Sequence, residues 1–123
     1  MRVLVTGAAG FLGKKIIDRL KDYFEIIATS RKPEQHKRIM DITDKNMVER
    51  IFSEIAPEIV IHCAAMADVD FCEDNHKIAQ VINVEGTKNI AEASSRQGSK
   101  MIYISTDFVF DGKKGNYKED DKT

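Results

Sequence analysis

The sequence has little of what marks three broad classes of protein. Its formal net charge is −1, so no broad basic surface points to nucleic acid. No apolar run approaches ~20 residues, which excludes a transmembrane helix. The N-terminal residues lack the profile of a signal peptide. We therefore expect a cytoplasmic protein with neither a nucleic-acid partner nor a membrane partner.

Cysteine and histidine are equally sparse. Cys63 and Cys72 have eight residues between them and form no C-x-x-C pair, so we expect two reduced structural thiols, with Cys63 buried. His36, His62 and His76 show no metal-ligand spacing, and the sequence predicts no metal site. What remains is a chain of 123 residues, 42% hydrophobic and 32% charged, which fits one globular domain with a modest core.

A glycine-rich turn organises the start of the chain. The apolar, β-branched run 2–6 leads into G-x-x-G-x-x-G and then directly into an amphipathic helix. Glycines also mark ordinary turns, but a turn between strand and helix is the context of a dinucleotide site. There they permit the tight turn, the approach of a pyrophosphate and close helix packing, while the first helical N–H groups face the phosphates. The predicted cofactor-binding residues here are Gly7, Gly10, Phe11, Leu12 and Gly13.

Strands and helices alternate along the rest of the chain. The apolar periodicity predicts helices over 11–23, 45–55 and 76–97, and strands over 25–29, 38–40, 59–62 and 100–105. Alternation implies right-handed βαβ units and a parallel sheet. We expect an α/β, Rossmann-like, doubly wound sheet of strand order 3-2-1-4-5. Its ligand crevice would lie at the carboxyl ends of strands 1 and 4, where the order reverses.

The pattern also predicts helix ends and buried helix faces. Thr43 or Asp44 can cap the second helix at its N-terminus, and Gly98 can cap the third at its C-terminus. The small-residue stretch 63–70 is predicted as a loop. The residues predicted to face the core are Phe11, Leu12, Ile16, Ile17 and Leu20 in the first helix, and Ile78, Val81, Ile82, Val84, Ile90 and Ala91 in the third.

The end of strand 2 bears on the choice between NAD and NADP. An NAD site usually has an acid about 20 residues past the glycine turn, whereas this chain has Ser30-Arg31-Lys32. A carboxylate would repel a 2′-phosphate, while Ser30 can donate a hydrogen bond and Arg31 can form a bidentate charged pair. We expect NADP. If Arg31 and Lys32 are only solvated loop residues, NAD is possible too.

Several motifs together resemble a known family. Residues 6–13 resemble the T-G-x-x-G-x-x-G of the short-chain dehydrogenase/reductase superfamily, in the form of its extended branch, and 83–87 resemble the N-x-x-G-T of extended members. Residues 64–73 and the S-T-D-x-V-F-D-G of 105–112 are similar to the dTDP-4-dehydrorhamnose reductase family. The regulatory β subunit of methionine adenosyltransferase shares this pattern, so reductase activity does not follow automatically.

The resemblance implies roles for further residues. The family reduces a 4-keto sugar nucleotide by hydride transfer from a nicotinamide, and a Ser or Thr at the end of strand 5 polarises the keto oxygen. Thr106 takes that role, with Ser105 second because neighbouring strand residues point to opposite faces; alternatively both hydroxyls only close the strand. Asp41 lies beside adenine or, equally, serves as a turn residue. The other implied cofactor-binding residues are Ile42, Cys63, Ala64, Ala65, Asn83 and Ser105.

Part of the family's site is missing from the sequence. The family's proton donor and its activating lysine form Y-x-x-x-K, but the three tyrosines are followed at that spacing by Ile27, Asp107 and Asp121. We therefore expect the N-terminal cofactor half of a larger enzyme, catalytically incomplete, whose full-length form takes a nucleotide-sugar substrate. Strand 5 would be an unprotected edge, so we expect a homo-oligomer or self-association through that face.

Three functions fit these motifs. The first is the NADP-binding part of a dTDP-4-dehydrorhamnose reductase-like enzyme. The second is a non-catalytic dinucleotide-binding module that regulates a partner, as in the β-subunit relatives. The third is another nucleotide-sugar enzyme, an epimerase or a dehydratase, against which stand Val69-Asp70 and the stretch 108–112.

Overall fold

The computed structural model describes residues 1–34 and 37–123. The polar connection predicted over residues 30–36 lies only partly within the described residues. His36 lies outside them. The strands are β1 Arg2–Thr6, β2 Glu25–Ser30, β3 Arg38–Ile39, β4 Ile59–His62 and β5 Lys100–Tyr103. The α-helices are α1 Phe11–Leu20, α2 Lys45–Ile55, α3 Val69–Asp74, α4 His76–Gln80 and α5 Thr87–Gln97; a π-helical segment, Val81–Gly86, joins α4 to α5, and a 3-10 turn covers Asp107–Val109.

The five strands form one parallel sheet in the order β3-β2-β1-β4-β5. β1 lies at the centre, where Leu4 pairs with Ile27 of β2 on one side and with Val60 of β4 on the other. Central parallel strands are buried on both faces and read as continuous apolar runs. The predicted α/β class and strand order are therefore confirmed, and the order reverses between β1 and β4 as expected.

Helices cover both faces of the sheet. On one face, α1 packs against Val3, Val5 and Ile61 of the sheet. The residues of α1 in this contact are Ile16, Ile17 and Leu20. On the other face, α2 and α5 build the larger cluster around Leu4, Val48, Phe52, Val60, Ile90 and Ala93. Because alternate residues of β1 enter opposite clusters, this strand anchors both halves of the core.

The predicted caps clarify how the helices begin and end. The Asp44 carboxylate accepts the N–H of Met47 at 3.0 Å and so caps α2, while Thr43 bonds to Asp41 instead. Gly98 ends α5 in the left-handed region at φ 70°, as predicted for a glycine cap. α1 ends at Leu20, three residues before the predicted end, and β5 ends at Tyr103, two residues early.

The predicted inner face of the third helix is partly wrong. Ile82 and Ile90 pack inward, but Ile78, Val81, Val84 and Ala91 are exposed. The physical reason lies at Gly86: a Cβ there would stand 2.7 Å from the Ile42 side chain, so the helix meets the core along Ile82, Gly86 and Ile90, and the four exposed residues face outward. A short helix, α3, also replaces part of the predicted loop 63–70.

Two further burial predictions need correction. Phe11 is 83% exposed and Leu12 is 42% exposed, because they occupy the first turn of α1 beyond the edge of the packed sheet. Cys63 is only partly buried, since it follows the last residue of β4 and enters the loop. Both cysteines are free thiols, as predicted.

Candidate functional site

A cleft of about 280 Å³ opens at the carboxyl ends of β1, β2 and β4. The turn after β1 forms its floor, residues 29–32, Glu34 and residues 40–43 form one wall, and residues 63–66 with Ile82 form the other. Nine residues that the sequence predicted for cofactor binding line it together: Gly7, Gly10, Ser30, Arg31, Asp41, Ile42, Cys63, Ala64 and Ala65. The cleft is thus at the point where the strand order reverses.

The backbone of the glycine turn contacts the backbone of the loop after β4. Gly7 adopts φ +65°, and a Cβ at this residue would lie 2.6 Å from the backbone nitrogen of Ala64. A Cβ at Gly13 would lie 2.4 Å from the Gly7 carbonyl oxygen. Side chains at either position would therefore displace backbone, so these two glycines let the turn close tightly, while Gly10 lines the cleft and presents bare backbone as the shallow cradle that a pyrophosphate needs.

The N-terminus of α1 adjoins this cradle. Gly10 precedes the helix without a side-chain cap, and no acidic residue occupies the first turn. The first N–H groups of a helix have no carbonyl partner within it, so those of Phe11, Leu12 and Gly13 are available to an anion. Phe11, Leu12 and Gly13 are not among the residues that line the cleft, and their contact with a cofactor stays a prediction.

The end of β2 carries two cations and one anion. Arg31 and Lys32 are exposed and line the cleft, whereas the Ser30 hydroxyl donates to the Lys32 carbonyl at 2.6 Å. Glu34, which the sequence pattern did not indicate, also lines the cleft and pairs with Lys37. The hydrogen bond and charge of Lys37 hold the pKa of Glu34 below its usual range, so this acid stays ionised.

Asp41 and Ile42 form the wall where adenine is expected. The Asp41 carboxylate accepts both the N–H of Thr43, at 2.9 Å, and its hydroxyl, at 2.7 Å. Asp41 is therefore a turn residue, as one alternative had it; it also lines the cleft, and its place beside adenine stays a prediction. Ile42 is buried, and its side chain lies under Gly86.

The loop after β4 is fixed by hydrogen bonds from two directions. The N–H of Ala64 donates to the Thr6 hydroxyl at 3.2 Å. Asn83 accepts the N–H of Met66 at 2.8 Å and donates to its carbonyl at 3.0 Å. Asn83 does not line the cleft itself and bears on it through Met66. Partial burial raises the pKa of the Cys63 thiol beside them, so the thiol remains neutral.

His62 is a buried group whose role the sequence did not reveal. It ends β4, is 1% exposed, and lies between the Thr6 hydroxyl, 2.7 Å from Nδ1, and the Thr87 hydroxyl, 3.1 Å from Nε2. Burial lowers the pKa of His62 from 6.5 to about 4, so the imidazole is neutral at pH 7. The signal in the sequence was a histidine at the end of an otherwise aliphatic strand.

The two predicted catalytic hydroxyls lie away from the cleft. Ser105 and Thr106 follow β5, and both are exposed. The Thr106 hydroxyl oxygen accepts the N–H of Phe108 at 3.3 Å and so begins the 3-10 turn. Neither residue is among those that line the cleft, and their roles remain predictions.

The described residues hold neither a cluster of metal ligands nor a membrane-spanning helix. Within residues 1–34 and 37–123, no three His, Cys, Asp or Glu side chains are grouped as metal ligands would be. In the same part of the chain, no helix has the length and apolar character needed to cross a bilayer.

Comparisons with known proteins agree with this geometry. The dTDP-4-dehydrorhamnose reductase of Aggregatibacter actinomycetemcomitans is 39% identical over 98% of this chain and 40% of its own length. The methionine adenosyltransferase 2 subunit beta of Bos taurus is 32% identical over 98% of this chain and 36% of its own length. This chain therefore spans less than half the length of either curated relative.

A solved structure shows the same fold. The dTDP-4-dehydrorhamnose reductase of Bacillus anthracis, determined in complex with NADP, matches with a TM-score of 0.84 and 42% identity over 91% of this chain and 38% of that chain. The family model described as "RmlD substrate binding domain" matches residues 1–123. The chain therefore belongs to this family, and it is similar in sequence and fold to dTDP-4-dehydrorhamnose reductases, which are extended short-chain dehydrogenases/reductases.

Proposed function

We propose that residues 1–123 form one Rossmann-like NADP-binding domain, the N-terminal portion of a dTDP-4-dehydrorhamnose reductase-like oxidoreductase. The observation that carries the proposal is the single cleft in which the glycine turn, the cations Arg31 and Lys32, and the Asp41-Ile42 wall meet. The Bacillus anthracis relative in complex with NADP supports it. The same reading favours a cytoplasmic protein, since both cysteines are free.

The residues present fit a dinucleotide phosphate. The cradle at Gly10 and the open N-terminus of α1 suit the pyrophosphate, since both present backbone and not side chains. Arg31 suits the 2′-phosphate, because its guanidinium can bond two phosphate oxygens at once. Asp41 and Ile42 suit the adenosine, and Ala64 and Ala65 leave room beside them. The bound cofactor would supply the hydride.

The reaction we propose is reduction of a 4-keto sugar nucleotide. The hydroxyl of Thr106, or that of Ser105, would donate a hydrogen bond to the keto oxygen and stabilise its developing negative charge. No Y-x-x-x-K occurs among the 123 residues, so the proton donor must come from elsewhere and this chain alone is catalytically incomplete. The nucleotide-sugar substrate is accordingly a partner of the full-length enzyme.

Titration calorimetry with Arg31→Asp tests the cofactor assignment. We expect the wild-type chain to bind NADPH more tightly than NADH, and Arg31→Asp to lose most of that preference, because the new carboxylate repels the 2′-phosphate. Arg50→Asp is the matched control, since Arg50 is exposed on α2 outside the cleft and the net charge changes equally. Equal binding of both dinucleotides by wild type would refute the role of Arg31.

A non-catalytic regulatory module is the second candidate. The similarity to the bovine methionine adenosyltransferase 2 subunit beta favours it, at 32% identity over nearly the whole chain. Under this alternative, the dinucleotide would be bound but a keto sugar would not be reduced. If the full-length protein binds NADPH but does not oxidise it in the presence of a 4-keto sugar nucleotide, the result supports the regulatory module.

Self-association is the partner interaction we propose for this chain. Among the described residues, β5 pairs with β4 alone, and the exposed apolar residues near that edge are Ile102, Tyr103, Ile104 and Phe108. An unpaired strand edge with apolar neighbours favours pairing with a second copy. We expect a dimer or larger species by light scattering, shifted towards monomer by Ile102→Lys; a monomer at high concentration would refute it.

A further inference from the structure

A buried imidazole lies behind the cleft and connects three of its supporting elements. His62 is the last residue of β4, Thr6 is the last residue of β1, and Thr87 is the first residue of α5. Their side chains form one continuous line of hydrogen bonds, 2.7 Å from Thr6 to His62 and 3.1 Å from His62 to Thr87. His62 itself does not line the cleft.

The direction of these hydrogen bonds follows from the groups involved. The Thr6 hydroxyl oxygen already accepts the N–H of Ala64, so its own proton is available for the Nδ1 of His62. A neutral imidazole that accepts at Nδ1 carries its proton on Nε2, which then donates to the Thr87 hydroxyl oxygen. The imidazole therefore fixes the orientation of the Thr6 hydroxyl, and through it the position of Ala64.

The position of Ala64 controls the width of the cleft. Its backbone nitrogen packs against the Cα of Gly7 so closely that a Cβ on Gly7 would lie 2.6 Å away. A shift of this backbone therefore moves the loop wall relative to the glycine turn. On the other side, Asn89 of α5 donates to the carbonyl of Ile42 at 3.0 Å, so α5 contacts both walls.

We propose that His62 is a positioning residue for dinucleotide binding: by accepting from Thr6 and donating to Thr87, it holds the Ala64 wall at the distance from the glycine turn that the cofactor requires. The inference rests on the proposed function, since it needs a cofactor in the cleft. A positioning role differs from a role in stability alone. Under the positioning role, loss of the hydrogen bond between Nδ1 and Thr6 should lower the affinity for the dinucleotide more than loss of the bond between Nε2 and Thr87.

Two conservative substitutions separate the two nitrogens. An Asn side chain places an amide oxygen near the position of Nδ1 and so keeps an acceptor for Thr6. A Gln side chain reaches instead towards the position of Nε2 and keeps a partner for Thr87. If the Thr6 bond positions the wall, His62→Asn retains affinity and His62→Gln does not.

The experiment is calorimetric titration of NADPH into the wild-type chain, His62→Asn, His62→Gln and Ser94→Ala, with thermal midpoints recorded for each. We expect His62→Gln to weaken binding by about tenfold, the effect of one lost buried hydrogen bond, and His62→Asn to stay near wild type. Ser94→Ala is the matched control: it removes a buried hydroxyl that donates to Ile90 on α5, away from the cleft. It should lower the thermal midpoint without changing affinity.

A double-mutant cycle provides a second reading should a His62 variant fold poorly. Thr6→Val keeps the shape of Thr6 and removes its hydroxyl, so Thr6→Val with His62→Gln should bind no more weakly than either single variant. Additive losses, or equal affinity of His62→Asn and His62→Gln, would overturn the inference while leaving NADPH binding intact. Failure of the folded wild-type chain to bind NADPH would overturn the proposed function, and the inference with it.

Discussion

The neutral, buried state of His62 predicts a specific dependence of stability on pH. Burial lowers its pKa from 6.5 to about 4 in the folded chain, while the unfolded chain keeps the ordinary value. Between these two values, the unfolded state binds a proton that the folded state does not. Folding stability attributable to His62 is therefore present above pH 6.5 and is lost progressively as the pH falls towards 4.

The magnitude follows from the size of the pKa shift. Each unit of pKa difference corresponds to about 1.4 kcal/mol, so the full contribution is at most ~3.5 kcal/mol. Between pH 7 and pH 5, where most carboxylates remain ionised, the loss is about 2 kcal/mol. That is a large part of the stability of a small domain, which is typically about 5–15 kcal/mol.

Urea denaturation at pH 7 and pH 5 measures this loss. The wild-type chain should lose about 2 kcal/mol more than His62→Asn over this interval, because Asn does not titrate. His76→Asn is the matched control: His76 is exposed at the start of α4, so its replacement should leave the wild-type difference unchanged. Equal losses in wild type and His62→Asn would refute the assignment of a buried neutral imidazole.

Two further substitutions probe the cleft. Gly7→Ala should weaken NADPH binding strongly, because its Cβ would lie 2.6 Å from the Ala64 nitrogen; Gly115→Ala, at φ +72° with nothing nearby, isolates the backbone strain and should leave affinity unchanged. Glu34→Gln should increase the preference for NADPH over NADH, because it removes a negative charge from the wall that carries Arg31; an unchanged ratio of the two dissociation constants would contradict this.

The sheet and its order were accessible from sequence for a definite physical reason. β1 and β4 are buried on both faces, so their apolar runs stand out, and parallel strands joined by helices have few allowed orders. The glycine turn was equally predictable, because backbone contact such as that between Gly7 and Ala64 leaves no room for a side chain. Nine predicted cofactor-binding residues consequently line one cleft.

Other features depend on contacts that no local pattern records. The third predicted helix is apolar on two sides, and the side that faces the core is the one on which Gly86 packs on Ile42. His62 acquires its role from hydroxyls 56 and 25 residues away in sequence. In an NAD site the acid is normally sought at the end of β2. Glu34 lies four residues beyond that end and nevertheless lines the cleft.

Titration of the wild-type chain at pH 7 with NADPH, and separately with NADH, tests the central claim most directly. The cleft with Arg31 and Lys32 at its edge predicts saturable binding of one NADPH per chain, tighter than that of NADH. A chain that is folded by circular dichroism and takes up neither dinucleotide would contradict the assignment of this cleft as a cofactor site.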